Sequence, residues 1–379
     1  MSVFRRSKNT RRLLLTLGDP LQFTTLPALL SLLQQITMTT KVDDVDRQAF
    51  LEILLSRRSY ETKEDKEACQ KLVEALTPED QETAAQASHA YWVATVLDDS
   101  ILKEASSSSS SLSRESLRTE FAMREARRHW IGEQRHFEKA QSALQKALAL
   151  RKEHRVDLVR LAGEAENLEN NSQFTKEEKE TVHRYRLLLE EELGTQLTLV
   201  GGLDKDQRAV ALRFSRTKAD TNVEAYLVAQ MYIAERATAA TEFYSRGLHE
   251  KVVAIAEYKD YSSTNAPPML SLREMIATLQ QLYPERLFKM VMTDPPFWMR
   301  TLYNILYPLL AKKTTEKMVM TTGKEQKQEA LEQLIDNVAQ YVPCVDVEKD
   351  WDISQEGVNL QVYLNQPMYK VYTDNDRGN

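Results

Sequence analysis

The side chains best suited to bind a metal, or to act as nucleophile and base, are widely spaced in this chain. The histidines show no HxxxH or HExxH spacing; they are His89, His129, His136, His154, His183 and His249. Cys69 and Cys344 form no CxxC pair, and there is neither a GxSxG elbow nor a GxxxxGKS/T phosphate loop. Asp204 and Asp206 are typical of a turn. The spacing therefore predicts no metal site, no cofactor other than a bound ligand, and no enzymatic activity.

Residues 297–310 are apolar around most of the circumference that a helix would have. A helix on the surface of a globular protein normally carries one apolar stripe. A helix with this composition must cover something apolar on one side, and must be covered or must move on the other. The segment therefore predicts a lid over a hydrophobic ligand. Pro308 should kink or end it, because proline removes a backbone donor.

The side chains of this segment are open to two interpretations, as ordinary core residues or as the lining of a pocket closed by the lid. The predicted lining residues are Phe297, Trp298, Leu302, Tyr303, Ile305, Leu306, Leu309 and Leu310.

Composition narrows the class of protein. Hydrophobic residues make up 42% of the 379, which is enough for a sizeable core. The formal net charge is −6 and no long basic stripe runs through the body, so we expect no nucleic-acid partner. No run reaches the roughly 18 to 20 apolar residues that span a bilayer. Two distant cysteines favour a reducing compartment. We therefore expect a cytoplasmic protein that contacts membranes only peripherally.

The first 18 residues are basic, with Arg5, Arg6, Lys8, Arg11 and Arg12 and no acid before Asp19. Three interpretations stay open for this segment: a disordered tail, an organelle-targeting segment, or a basic arm that contacts anionic lipid.

The pattern along the chain predicts a mainly helical first part and an α/β second part. The predicted regions are 1–25 (basic segment), 26–105 (helical), 106–116 (serine-rich linker), 117–165 (helical subdomain), 180–350 (α/β domain) and 351–379 (tail). Within the α/β domain, strands are predicted at 197–200 and 209–214 around a turn at 201–208, and further strands at 252–256 and 289–292. Helices are predicted at 223–244 and 271–282, the second with a capping box of Ser271 and Glu274. Alternating strands and helices favour a parallel or mixed sheet.

The run YPERLFKMVMTDPPFWMRTLYNILYPLLAKKTTEKM, residues 283–318, resembles the signature of the CRAL-TRIO lipid-binding family. That family includes phosphatidylinositol-transfer, tocopherol-transfer and retinaldehyde-binding proteins. Weaker similarity extends over about residues 112–345, in the stretches 135–154, 203–214 and 252–262. The resemblance implies a helical N-terminal subdomain, a mixed or parallel sheet with helices on one side, and an apolar pocket under a mobile gate helix at 297–310.

The resemblance also implies a headgroup site for an inositol lipid. In members that bind such lipids, the glutamate of the YPER motif and a Thr-x-x-Lys after the gate helix meet the headgroup, and these correspond to Glu285, Thr314 and Lys317. Arg135 is the counterpart of a further arginine. Lysine and arginine donate charge-assisted bonds to phosphate, and a carboxylate accepts from hydroxyls. Val252 and Ala254 stand where choline-lipid binders carry hydroxyls, which disfavours phosphatidylcholine.

The predicted function is that of a lipid-binding or lipid-transfer protein that extracts a phospholipid, best phosphatidylinositol, from a membrane by transient contact. Two alternatives stay open. One is a carrier of a smaller hydrophobic molecule, similar to a tocopherol or retinoid. The other is a scaffold or targeting protein with a degenerate pocket that binds a protein partner through its N-terminal helices. Altered turns, such as Asp294-Pro295-Pro296 in place of Asn-Ala-Pro, favour the last alternative.

Overall fold

The computed structural model of the chain describes residues 42, 44–56, 59–108, 113–164, 168, 172–215, 217, 222–310, 312–335 and 344–376. Contacts divide the chain into Met1–Val42 and Asp43–Asn379, and almost all described residues belong to the second unit. The basic segment, and the predicted helical region as far as residue 41, lie outside the described residues. The three interpretations of the basic segment therefore stay predictions.

The first half of the described chain is helical. Its helices are α1 (Asp44–Leu55), α2 (Lys63–Glu74), α3 (Pro78–Ala85), α4 (His89–Trp92), α5 (Asp99–Ser108), α6 (Arg114–Gly132), α7 (Phe137–Glu153), α8 (Val156–Arg160) and α9 (Lys176–Thr195). Thr62, Thr77, Ser113 and Thr175 cap α2, α3, α6 and α9 by accepting bonds from backbone N–H groups in the first turn. Helices α2 and α3 pack against α6, so the regions predicted as 26–105 and 117–165 share one helical layer.

The serine-rich linker predicted from residue 106 begins later than expected. Helix α5 continues to Ser108, and within it the hydroxyls of Ser106 and Ser107 donate to the carbonyls of Leu102 and Glu104 about one turn earlier. Residues 109–112 lie outside the described part of the chain.

The second half contains a five-stranded sheet in the order β1-β2-β3-β4-β5. The strands are β1 (Thr198–Leu203), β2 (Ala209–Arg213), β3 (Val252–Glu257), β4 (Leu287–Thr293) and β5 (Met318–Thr321). Strands β1 and β2 are antiparallel, and β2 to β5 are parallel. The connecting helices are α10 (Val223–Tyr244), α11 (Met269–Leu282), α12 (Phe297–Leu306) with a 3₁₀ turn at Tyr307–Leu309, and α13 (Lys312–Thr315). The mixed α/β fold with an N-terminal helical region is confirmed.

Two local predictions in this region are wrong. The turn predicted at 201–208 is shorter, because β1 continues to Leu203 through a bulge where Gly202 adopts φ +85°, a left-handed value that glycine tolerates. Helix α11 begins two residues before the predicted capping box, with Pro268 at its N-cap position and no side-chain cap. Ser271 is instead buried within the first turn.

The C-terminal segment, predicted as a tail from residue 351, is packed into the fold. It contains the hairpin β6 (Val345–Asp346) and β7 (Asp352–Ile353), which crosses the predicted boundary, and helix α15 (Leu360–Leu364) after α14 (Lys324–Glu332). Tyr363 and Tyr372 are fully buried, and both bond the edge strand at Val200. Tyr369 and Lys370 bond the carboxylate of Asp46 on α1 at 2.9 and 2.7 Å. The segment thus joins the edge of the sheet to the helical layer.

Candidate functional site

Strands β4 and β5 contain the same pentapeptide, KMVMT, at residues 289–293 and 317–321. The parallel pairing of the two strands places Met290 opposite Met318 and Met292 opposite Met320. Successive side chains of a strand point to opposite faces of the sheet, so the methionines share one face and the intervening valines share the other. Strand β3 adds alanines to the same rungs. We call this the methionine face; it consists of Ala254, Ala256, Met290, Met292, Met318 and Met320.

The two faces of the sheet differ in burial. On the opposite face, Val253, Ile255 and Val291 are fully buried, and Lys289 donates to Gln333 just after α14 at 2.8 Å. On the methionine face, Met290, on an interior strand, and Met318, on the edge strand β5, both stay partly accessible. Helix α10 packs on β1, β2 and β3, and α14 packs on β4 and β5. The centre of the opposite face is therefore closed, whereas the methionine face is only partly covered.

The inner side of helix α12, the predicted gate helix, covers the methionine face. Trp298, Met299 and Tyr303 pack on a buried cluster that includes Met292 and Tyr261. The Trp298 and Tyr261 rings lie 5.2 Å apart, and the indole N–H donates to the Tyr261 carbonyl at 3.4 Å. The α-helix gives way to a 3₁₀ turn that contains Pro308, in agreement with the predicted kink or end.

The outer side of the gate helix is exposed, and it carries large apolar side chains beside the polar residues Arg300, Thr301 and Asn304. Phe297 is 85% exposed, and Ile305 and Tyr307 are each 50% exposed. Two of the predicted lining residues, Phe297 and Ile305, are therefore largely exposed. A helix advances about 100° per residue, which places Phe297 opposite the inward-facing Met299 and Leu306, and Ile305 at the flank between the two sides.

The remaining predicted lining residues occupy mixed positions. Leu306 is buried, and Leu302 and Leu310 are half-buried. The side chain of Leu309 lies outside the described part of the chain.

Glu285, the glutamate of the YPER run, lies at the centre of a cluster of lysines. Its carboxylate is 3.3 Å from Lys317 Nζ, 3.6 Å from Lys313 Nζ and 3.7 Å from Lys251 Nζ. Its backbone adopts φ +56°, an uncommon value for a residue with a side chain. Partial burial alone would raise the pKa of Glu285, but the lysines, Lys317 foremost, hold that pKa below its usual value. The three ammonium groups and one carboxylate leave a surplus of two positive charges.

The short helix α13 positions the lysines of this cluster. Thr314 lies within it and accepts the Lys317 backbone N–H at 3.1 Å, so the structure brings this predicted pair together through the main chain. Lys313 also donates to the Ile131 carbonyl at 2.8 Å, in the last turn of α6. A cation is favourable at a helix C-terminus. Lys251 and Lys313 were not predicted, because neither belongs to the Thr-x-x-Lys spacing.

Arg135, also predicted at the headgroup, has other partners. Its guanidinium bonds Asp65 at 2.8 Å and Glu61 at 2.5 Å, both near the start of α2. Trp130 Nε1 donates to the same Asp65 carboxylate at 2.7 Å. The structure therefore does not bring the Arg135 side chain to Glu285.

A buried ionic cluster holds the YPER turn in place through a hydrogen bond from Tyr283. The Tyr283 hydroxyl donates to Glu235 at 2.8 Å, and Glu235 also pairs with Arg151 at 2.9 Å and with Arg160. Burial disfavours the charged form of Glu235, but Arg151 and Arg160 hold its pKa below the usual range. A buried charge of this kind is stable only when it is paired. The cluster fixes the helix end from which Glu285 projects.

Part of the chain is similar to known proteins. Residues 193–342 match the model of the CRAL/TRIO domain, a range that contains the whole sheet, the gate helix and the lysine cluster. A segment of 151 residues is 26% identical to phosphatidylinositol transfer protein PDR17 of Saccharomyces cerevisiae and covers 38% of this chain. The chain spans 41% of the length of that relative. A structure titled "Crystal structure of Sfh5" superposes with a TM-score of 0.48 at 14% identity, over 81% of this chain and 92% of the other.

Two further observations concern the described residues. No helix among them is long and apolar enough to cross a membrane. No group of three histidine, cysteine or acidic side chains among them is arranged to hold a metal ion. The family match, the sheet and the gate helix coincide over the same residues, and this part of the chain, residues 193–342, is therefore similar to a CRAL/TRIO domain.

Proposed function

We propose that this protein binds a phospholipid, preferably phosphatidylinositol, on the methionine face and exchanges it with membranes. The observation that carries the proposal is Glu285 surrounded by Lys251, Lys313 and Lys317, beside the start of β5. The yeast relative, whose name is that of a phosphatidylinositol transfer protein, supports the choice of lipid.

The lysine cluster suits the chemistry of an inositol phospholipid. The lysines offer charge-assisted bonds to the anionic phosphodiester. The carboxylate of Glu285 accepts bonds from ring hydroxyls, and its lowered pKa keeps it ionised at neutral pH. A surplus of positive charge attracts the phosphate, while the single carboxylate favours a headgroup rich in hydroxyls over a bare anion.

Selectivity in this scheme arises at the headgroup. Burying about 30 methylenes of a two-chain lipid involves more than about 20 kcal/mol, at roughly 0.8 kcal/mol each. The bilayer supplies the same stabilisation, so transfer of the chains is nearly neutral in free energy. Each charge-assisted hydrogen bond contributes on the order of 1.5 to 3 kcal/mol. A few bonds at the lysine cluster are therefore enough to select one headgroup.

The gate helix provides the route of exchange. Its inner side covers the methionine face, while Phe297, Ile305 and Tyr307 expose apolar surface on its outer side. At a membrane this outer side contacts lipid instead of water, which favours opening of the helix. We propose a peripheral, cytoplasmic exchanger that makes and breaks no covalent bond.

The first experiment is native mass spectrometry, with lipid extraction, after incubation with liposomes of mixed phospholipids. We expect one phosphatidylinositol per chain. Recovery of a smaller apolar compound without phospholipid would replace the proposal by the carrier alternative. A chain without lipid that retains a stable protein partner would replace it by the scaffold alternative.

The headgroup assignment is tested by the double variant Glu285→Ala/Lys317→Ala. We expect extraction of phosphatidylinositol to fall at least about 10-fold, the loss of one charge-assisted bond. Lys289→Ala is the matched control, because Lys289 begins the other KMVMT segment but bonds Gln333 near α14 on the opposite face. Unchanged extraction by the double variant would falsify the headgroup assignment.

A further inference from the structure

Arg213, the last residue of β2, is a cation on the methionine face. The parallel pairing places it in one rung with Ala256, Met292 and Met320. Residues paired in register on parallel strands point to the same face of the sheet. An arginine at this position is unexpected, since its neighbours on the rung are apolar.

The contacts of Arg213 are with neutral groups. Its guanidinium donates to Gln196 Oε1 at 3.0 Å and to the Tyr226 hydroxyl at 3.4 Å. Its Nε is closed off from solvent and has no hydrogen-bond acceptor. Among the residues that the structure describes, no carboxylate lies within 4 Å of it, and the phenols of Tyr258 and Tyr261 are its other electrostatic neighbours.

An arginine in such surroundings favours an anion. The guanidinium stays protonated in proteins, so the charge cannot be removed by loss of a proton. Arg213 is half-buried, and a charge partly removed from water is stabilised when an opposite charge pairs with it. The planar fork of N–H donors matches the two oxygens of a carboxylate. The Arg213 end of the methionine face therefore has the chemistry to bind an acidic group attached to an apolar molecule.

This end is separate from the lysine cluster. Arg213 lies on β2 and Lys317 directly precedes β5. Three strand spacings of about 4.8 Å across the sheet, and three residues of about 3.3 Å along the strands, place them roughly 17 Å apart. Apolar side chains of the methionine face occupy the rungs between them.

We propose that Arg213 binds the carboxylate of a long-chain monocarboxylic acid whose hydrocarbon chain lies along the methionine face. The inference rests on the apolar pocket of the proposed function but not on its headgroup assignment. The carboxylate is the last group of such a ligand, so nothing extends beyond Arg213, whose neighbours are methionine and tyrosine side chains. A phosphodiester would continue into a headgroup that needs further polar partners.

The test uses the fluorescent fatty acid cis-parinaric acid and its methyl ester, which differ only in the charge and shape of the acid end. We expect the parent protein to bind the acid at least about 10-fold more tightly than the ester. Arg213→Gln should lose this preference, and Arg213→Lys should retain part of it, because lysine keeps the charge but not the fork. Equal binding of acid and ester by the parent, or an undiminished preference in Arg213→Gln, would overturn the proposal.

Two further measurements separate this proposal from its competitors. If Arg213 serves only to hold Gln196 and Tyr226 in place, the ligand-free variant Arg213→Gln should unfold at a lower temperature than the ligand-free parent. If Arg213 is a ligand site, the ligand-free variant should be as stable as the parent or more stable, because an unpaired charge is removed. The variant Glu285→Ala/Lys317→Ala should still prefer the acid. Loss of phosphatidylinositol extraction with retained acid preference would support Arg213 as a separate site, whereas loss of the acid preference in this variant would place the acid at the lysine cluster and overturn the assignment to Arg213.

Discussion

Met290 and Met318 occupy the same position in two identical pentapeptides, and the parallel pairing of β4 with β5 sets them side by side under the gate helix. The next rung repeats the arrangement with Met292 and Met320. Methionine is unbranched and polarizable, so it fills irregular space and adapts to different partners. A face built from two such rungs can fit acyl chains of different shape, while the polar ends of the site discriminate between ligands.

The adaptability of this face can be tested by Met292→Leu/Met320→Leu. Leucine conserves the volume approximately, so each substitution should reduce the free energy of unfolding by less than about 1.5 kcal/mol. Leucine has fewer rotatable bonds, and we therefore expect dipalmitoyl and dilinoleoyl phosphatidylinositol, bound similarly by the parent, to differ several-fold in dissociation constant. Met275→Leu on α11 is the control. An unchanged ratio of dissociation constants would show that methionine flexibility is irrelevant.

The lysines around Glu285 predict a pH-dependent contribution to stability. Because the pKa of Glu285 is lower in the folded protein than in the unfolded chain, its ion pairs stabilise the fold above the unfolded pKa. That contribution is lost as the pH falls through the folded pKa. Urea unfolding should therefore show Glu285→Gln to be less stable than the parent at pH 7, with the difference shrinking in acid. A difference that is constant with pH would contradict the ion-pair origin.

The buried ionic cluster at the YPER turn predicts losses of very different size in the free energy of unfolding for two variants. Glu235→Gln leaves Arg151 and Arg160 buried without a counter-charge and should reduce the free energy of unfolding by about 3 to 5 kcal/mol. Tyr283→Phe removes one hydrogen bond and should reduce it by about 1 kcal/mol. Thermal and urea unfolding measure both. Similar losses for the two variants would mean that the arginines find other partners.

The exposed outer side of the gate helix predicts a variant that separates membrane contact from folding. Phe297→Ser should leave the free energy of unfolding within about 0.5 kcal/mol of the parent, because the side chain is 85% exposed. Co-sedimentation with liposomes and the rate of lipid transfer should both fall. Leu187→Ser is a matched control, since Leu187 on α9 is 66% exposed but far from the gate helix in sequence. Equal losses in both variants would point to nonspecific adsorption.

The position of Arg135 predicts a structural effect without an effect on transfer. The Arg135 guanidinium lowers the pKa of Asp65 to about 2, which stabilises the fold above the ordinary aspartate pKa of 3.8 and ceases to do so as the pH falls toward 2. Arg135→Ala should therefore reduce the free energy of unfolding at pH 7 more than at pH 2, with unchanged transfer of phosphatidylinositol. A selective loss of transfer would restore Arg135 to the headgroup site.

The core of the α/β region was predictable from local pattern. Strand β3 has a continuous apolar run, which is typical of a buried strand, and helix α10 has apolar residues at helical spacing. Both elements lie close to where they were predicted. Strand β5 was missed because its four residues follow a polar segment. Its signal was the repeated KMVMT segment, which reveals a second strand only when the two copies are compared.

The site was predictable in part. Glu285 and Lys317 are neighbours as the resemblance implied, whereas Lys251 joins them from the loop before β3, a contact that depends on sheet order. The prediction did not separate the two sides of the gate helix, although the sequence carries a signal for them. Arg300, Thr301 and Asn304 lie on the same side of the helix as Phe297, and all four residues are exposed.

The contact of Asp46 with Tyr369 and Lys370 also constrains how the protein is made. Its partners lie 323 and 324 positions later in the chain. At about 5 to 20 residues per second, a ribosome needs roughly 16 to 65 s to add that length. Throughout that interval α1 has been synthesised but lacks the tyrosine and lysine that bind its buried carboxylate. Completion of the helical layer therefore waits until residue 370 has been synthesised, and a nascent chain stalled before residue 369 should stay a substrate for chaperones.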